Sequence, residues 1–236
     1  MSTPEQVLKQ HFGYSSFRGQ QKKLIDALLD GQDVLAVMPT GAGKSICYQI
    51  PSLLVSGLTI VISPLISLMK DQVGALNSNG IPAAYLSSTL SIEERKTVFA
   101  MAYTGKLKLL YVSPERLLAD GLINLCQTVK INYVAVDEAH CISQWGQDFR
   151  PSYSKIHEFL QSLPERPPVG AFTATATRTV RQDIIKFLEL KNPLCVVSGF
   201  DRPNLTFITE QPHDKFEHLV ALLNERHFKS GIVYCT

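Results

Sequence analysis

Six short runs of β-branched and apolar residues recur along the chain, at 34–38, 59–62, 108–112, 133–136, 169–172 and 194–197. Helical spacing falls between several of them, as in 44–54, 92–103 and 179–188. A strand that is apolar throughout offers no face to water, so both of its faces must be covered. Alternation with helices supplies that cover and predicts an α/β fold, a doubly wound and mainly parallel sheet. Ligands of such sheets bind outside the carboxyl ends of the strands.

A seam is expected near 199–214, where turn-rich residues give way to a linker-like Gln211-Pro212-His213-Asp214. A helix at about 215–224 and a strand at 231–235 follow. A lone helix and strand cannot bury a core. The expected division is therefore a first domain at 1–205, with 206–236 as a linker and the truncated start of a second domain.

Composition sets broad limits. Hydrophobic residues make up 45% and charged residues 19% of 236 positions, which excludes a disordered chain. A formal net charge of +2 points to neither nucleic acid nor membrane, so any affinity for DNA must come from local placement of Lys and Arg. Five scattered cysteines without CxxC pairing fit a reducing compartment rather than a disulfide framework or a zinc site. The polar, mixed-charge N-terminus is unlike a signal peptide, and the apolar runs are far short of the roughly 20 residues that span a bilayer. A soluble intracellular protein is expected, in the cytoplasm with the bacterial nucleoid or in a nucleus.

The run at 34–38 leads into Pro39-Thr40-Gly41-Ala42-Gly43-Lys44-Ser45. Small residues let backbone N–H groups turn inward around phosphate oxygens. Lys44 can reach the outer phosphates, the Ser45 hydroxyl can ligate Mg²⁺, and the following helix presents its positive end to the same anion. A second strand ends on Asp137-Glu138-Ala139-His140. Asp137 is placed to hold Mg²⁺ and Glu138 to orient or deprotonate an attacking water. The plainer alternatives are a strand–turn–helix corner and a polar strand end, and the two motifs together make both weak.

A phosphate loop of the form MPTGAGKS followed by DEAH resembles superfamily-two helicases. Met38 stands where the general phosphate-loop pattern has Gly, a position helicases commonly relax. FGYSSFRGQQ at 12–21 resembles the adenine-reading motif of RecQ-family DNA helicases, departing from it at Gly19-Gln20. SPLISLMKDQ at 63–72 and YVSPER at 111–116 resemble the family's DNA-contact motifs. CISQWGQDFRP at 141–151 resembles its aromatic-rich loop, FTATAT at 172–177 its coupling motif, and FDRPN at 200–204 also recurs there.

The resemblance implies an ATP- and Mg²⁺-dependent DNA helicase, moving 3′→5′ on single-stranded DNA and unwinding duplex DNA, with repair and recombination proteins as partners. It implies a first RecA-like domain here and a second whose arginines, beyond Thr236, complete the site. Such arginines are worth roughly 10³–10⁵ in rate, so this chain alone is expected to bind nucleotide with near-background turnover. A non-catalytic nucleotide- and DNA-binding module and an RNA-unwinding relative remain the alternatives.

Within that frame Tyr14 and Arg18 can stack on the two faces of a base while the Gln21 amide matches an adenine edge. The alternative makes Phe12 and Phe17, with Tyr14, a small capping cluster. Trp145, the sole tryptophan, sits among polar residues and with Phe149 and Arg150 suggests a stacking platform for single-stranded DNA. A hydrophobic cluster beneath a loop is the plainer reading. Ser63, Lys70 and Arg116 fall just after strands, where they could hold a DNA backbone. Thr173 and Thr175 are assigned to coupling by resemblance, or else cap a strand. His140 has no partners at metal-ligand spacing in the sequence, which favours a hydrogen-bonding role.

Overall fold

A computed structural model describes residues 2–146, 148–199, 205–225 and 230–234. Seven strands form one parallel sheet: β1 (Val34–Val37), β2 (Leu58–Ile62), β3 (Ala83–Leu86), β4 (Leu109–Val112), β5 (Ile131–Val136), β6 (Val169–Thr173) and β7 (Leu194–Val197). Their spatial order is β3-β4-β2-β5-β6-β1-β7, and every neighbouring pair runs parallel. β1, β2, β4 and β6 are buried at every position and β5 over its last four, as their apolar sequences require.

Successive side chains on a strand face opposite ways, and two cores result. Leu58, Ile60 and Ile62 of β2, Leu110 and Val112 of β4, and Val134 and Val136 of β5 lie in one core. Helices α5 (Ile92–Tyr103), α6 (Asp120–Thr128), α7 (Lys155–Ser162) and α8 (Arg178–Phe187) contribute to that core. Val61, Tyr111, Tyr133 and Ala135 face the other core, with residues of α2 (Gln21–Leu29), α3 (Lys44–Leu54) and α4 (Ile66–Ser78). Helix α1 (Pro4–Phe12) adds Val7 and Leu8 to a satellite cluster with Ile25 and Ile50, against which Phe12 and Phe17 pack.

At the sheet's opposite end, Asp33 is 3% exposed. Its carboxylate accepts from Arg166 Nη1 at 3.2 Å and Nη2 at 2.7 Å, and from the backbone amides of Val169 at 2.8 Å and Lys191 at 2.7 Å. It thereby ties the entrances of β1, β6 and β7 together.

The chain separates into two compact units, 1–200 and 201–236. In the second, α9 (Lys215–Glu225) buries no residue, and the strand expected at 231–235 is not formed over 231–234. An extended segment becomes a strand only with a paired neighbour, and none is recorded for these residues. Cys235 and the FDRPN segment at 200–204 lie outside the described residues.

Candidate functional site

The phosphate loop and the DEAH carboxylates end strands that are not neighbours. β6 lies between β1 and β5. The loop after β1 turns through Gly41 (φ 84°) and Gly43 (φ 76°), left-handed conformations that favour glycine. Gly43 precedes α3 without a side-chain cap, so the helix's first amides face the loop. A Cβ at Gly43 would collide with the Gln21 side-chain amide. Thr40 is exposed, and Ser45 lies half-buried in the first turn of α3. Lys44 Nζ donates to Met38 O at 3.3 Å, folding its charge back across the loop.

Asp137 is 7% exposed at the end of β5. Burial, then the charge of neighbouring Glu138, pushes its carboxyl up to about 6, against the pull of Lys44. Glu138 adopts a left-handed φ of 47°, a strained conformation for a non-glycine residue. Its carboxyl is held below the usual range, first by its bond to His140. His140 Nδ1 lies 3.3 Å from Glu138 Oε2 and 2.8 Å from Thr173 Oγ1. The Cys141 sulfur, then Glu138, raises His140 to about 10, so it carries its proton at neutral pH. Tyr153 donates its hydroxyl to Asp137 O at 2.9 Å from beneath.

The donor set fits a magnesium–triphosphate group. An uncapped helix start, an ammonium and a hydroxyl lie on one side, and on the other a desolvated carboxylate lacks a full counter-charge. Ser45 and Asp137 are the residues that could hold the metal.

Beside the loop is a cavity of about 180 Å³ lined by Leu8, Tyr14, Arg18, Gln21, Gly43 and Ile46, among others. Here the structure differs from the sequence expectation. Tyr14 and Arg18 do not stand apart to bracket a base; the guanidinium carbon lies over the Tyr14 ring, 5.4 Å from its centre. Both ends of the Gln21 amide are engaged. Its oxygen accepts from Arg18 N at 2.8 Å, and its nitrogen donates to Ala42 O at 3.0 Å and Gly43 O at 3.2 Å. Gln21 is 4% exposed and so links the FGYSSFR turn to the phosphate loop.

On the loop after the 3₁₀ turn Ala139–Ile142, Trp145 is 79% exposed and Phe149 is 42% exposed. They line a cavity of about 540 Å³ with His157, Asp183, Lys186 and Phe187 from α7 and α8. These four carried no sequence signal, because they sit on ordinary amphipathic helices. Arg150 is not free for stacking. Its guanidinium pairs with Asp148 (3.0 and 3.2 Å) and donates to Pro64 O at 3.2 Å, tying the loop to the exit of β2.

His140, Cys141 and Asp148 bring potential ligand atoms within 4.8 Å of one another, a cluster that the sequence spacing did not suggest. A protonated His140 and the Arg150 cation on Asp148 oppose a metal there, so it reads as a hydrogen-bonded network.

Lys70 is exposed on α4, its ammonium 5.9 Å from the centre of the Tyr85 ring. Arg116 borders an apolar cleft with Arg95 and Lys96. Ser63 departs from expectation: at 1% exposure its hydroxyl faces the interior, because the chain is still inside the sheet edge there. Thr173, also buried, accepts Met38 N at its backbone oxygen (3.0 Å), while its hydroxyl meets His140 and donates to Thr175 O at 3.1 Å. It bridges the two halves of the site, and Thr175 is exposed beside it.

Residues 18–183 match the DEAD/DEAH box helicase family. Over 97% of its length the chain is 49% identical to the ATP-dependent DNA helicase RecQ of Haemophilus influenzae, and over 98% it is 46% identical to that of Bacillus subtilis. It spans 37% and 39% of those relatives' own lengths. It is also 41% identical over 97% of its length to the ATP-dependent helicase SGS1 of Saccharomyces cerevisiae, of which it spans 16%. Among solved structures, a hypothetical ATP-dependent RNA helicase from Sulfolobus tokodaii matches 82% of this chain and 56% of its own (TM-score 0.61, 20% identity), a likeness of fold. This chain belongs to the DEAD/DEAH box helicase family, matching the N-terminal portion of RecQ DNA helicases.

Proposed function

We propose that this chain is the nucleotide-binding lobe of a RecQ-type ATP-dependent DNA helicase, with residues 1–205 forming a first RecA-like domain and 206–236 the linker and start of a second. The observation that carries this reading is the bridge from Glu138 through His140 to Thr173, which sits between the phosphate loop and the aromatic loop. The whole protein would couple ATP hydrolysis to 3′→5′ movement on DNA and to duplex unwinding, serving repair and recombination with partners of those pathways.

The amides of Thr40, Gly41 and Gly43 and the Lys44 ammonium hold the phosphates. Ser45 and Asp137 would hold Mg²⁺, and the ion would supply charge neutralisation at the phosphates. Glu138 takes the proton of the attacking water, and the His140 imidazolium keeps it ionised and aimed. Tyr14 and Arg18 part to admit the base, and Gln21 relays its presence to the loop. Trp145 and Phe149 stack bases, Lys70 and Arg116 hold phosphates, and Arg150 fixes the loop's position. Ser63 reaches a strand only if its segment shifts, and Thr173 and Thr175 carry the coupling.

Trp145 provides the test. Its exposure makes it a built-in reporter, and oligo-dT is expected to quench its fluorescence. Trp145→Ala is expected to weaken oligonucleotide binding by about 1–3 kcal/mol, as stacking one base would imply. A matched RNA strand should compete poorly. Equal quenching by RNA would favour an RNA-unwinding relative, and absence of quenching would remove the platform.

Metal-dependent nucleotide binding should also respond to pH. Mg²⁺ favours ionised Asp137, whose carboxyl is raised to about 6. Below that pH the metal must displace a proton, so the Mg²⁺-dependent affinity should fall about tenfold per pH unit, and it should be level above. Asp137→Asn should retain only the nucleotide's own titration. A wild-type profile indistinguishable from that variant would refute the metal assignment.

A further inference from the structure

Helix α3 starts on the phosphate loop, and α4 follows the Ser63–Pro64–Leu65 segment and carries exposed Lys70. The two helices are joined through one buried and one half-buried glutamine. Gln49, one turn beyond Ser45, is 4% exposed. Its amide nitrogen donates to Gln72 Oε1 of α4 at 2.9 Å and to the Tyr111 hydroxyl of β4 at 3.1 Å. Both N–H groups of the amide therefore have an acceptor, which fixes the side chain's position. Releasing it would strand buried donors, and α3 and α4 therefore resist moving independently.

Tyr48, the residue before Gln49, is fully buried beside Tyr111, Ser45 and Asp137, so its ring and hydroxyl lie between α3, β4 and the end of β5. Ser63, at the entrance to α4, is buried as well. A small displacement of the start of α3, such as phosphate contact at Lys44 and Ser45 would impose, changes the surroundings of Tyr48 and, through Gln49 and Gln72, of α4.

We propose that Gln49 and Gln72, braced on Tyr111, are positioning residues that couple the nucleotide site to the DNA-facing helix. This rests on the nucleotide and DNA sites proposed above. Neither glutamine touches a reacting atom; the pair sets how far occupancy of one site is felt at the other.

The experiment measures the affinity of the full chain for fluorescent oligo-dT, with and without Mg²⁺ and a non-hydrolysable ATP analogue. A coupling ratio of about fivefold or more is expected for the unaltered chain. Gln49→Leu is expected to bring the ratio close to one while each ligand alone keeps its affinity within about twofold. Gln72→Leu should likewise reduce the ratio, and Gln49→Leu/Gln72→Leu should reduce it no further than one substitution does. Gln72→Glu, which keeps an acceptor for Gln49, should retain coupling. A merely structural role would lower both affinities together, and the glutamate would not restore the ratio. Both ligands binding with no coupling in the unaltered chain, or coupling that survives Gln49→Leu, would overturn the joint. Failure of either ligand to bind the unaltered chain would overturn the underlying site reading and the joint with it.

Discussion

Asp33→Ala is expected to lower the unfolding free energy by about 3–5 kcal/mol, the range for removing one partner of a buried ion pair. The carboxylate accepts four hydrogen bonds, two of them from backbone amides. Its loss leaves those amides and the Arg166 guanidinium without their acceptor at the point where β1, β6 and β7 enter the sheet. Denaturant titration followed by circular dichroism measures the change. Asp33→Asn, which keeps the shape and part of the acceptor capacity, should fall between the two. A loss below about 1 kcal/mol, the worth of a single ordinary hydrogen bond, would mean that water satisfies these donors and that the network does little for stability.

Lys44→Ala should show the opposite pattern. In this structure Lys44 donates to the backbone oxygen of buried Met38 at 3.3 Å, a long bond. Removing it is expected to shift unfolding little, because only this one long bond is lost. Nucleotide affinity should fall by about 1.5–3 kcal/mol, roughly 10- to 150-fold, the range for a hydrogen bond to a charged group. Titration with a fluorescent ATP analogue in Mg²⁺ reads this directly. Affinity unchanged within about twofold would remove Lys44 from the phosphate site.

The sequence showed six strands because their apolar, β-branched character is local, and it located the phosphate loop and DEAH because each is a contiguous string. It did not show β3, whose AAYL contains no β-branched residue and two alanines. Position along a motif also did not reveal direction. Ser63 sits in a string that resembles a DNA-contact motif, yet its hydroxyl is turned inward, and Arg150 is held by Asp148 and Pro64 O. Such outcomes depend on partners distant in the chain. Gln49 drew no notice, and Gln72 and Tyr111 stood only as members of motif strings, for the same reason: their joint role exists only once α3, α4 and β4 are assembled.

The order of the sheet also has a consequence for how the molecule is made on the ribosome. β1, which feeds the phosphate loop, pairs only with β6 and β7: Val34 lies beside Gly170 and Leu194. At roughly 5–20 residues per second, its first neighbour is synthesised many seconds after it. β2, β4 and β5 can meanwhile pair among themselves. Among these strands β1 thus waits longest for its neighbours, leaving an apolar strand open to chaperones or to mispairing. Nucleotide cannot act as an early folding template for this sheet, since the loop that would hold it is anchored by β6 and β7, which follow β5 in the chain.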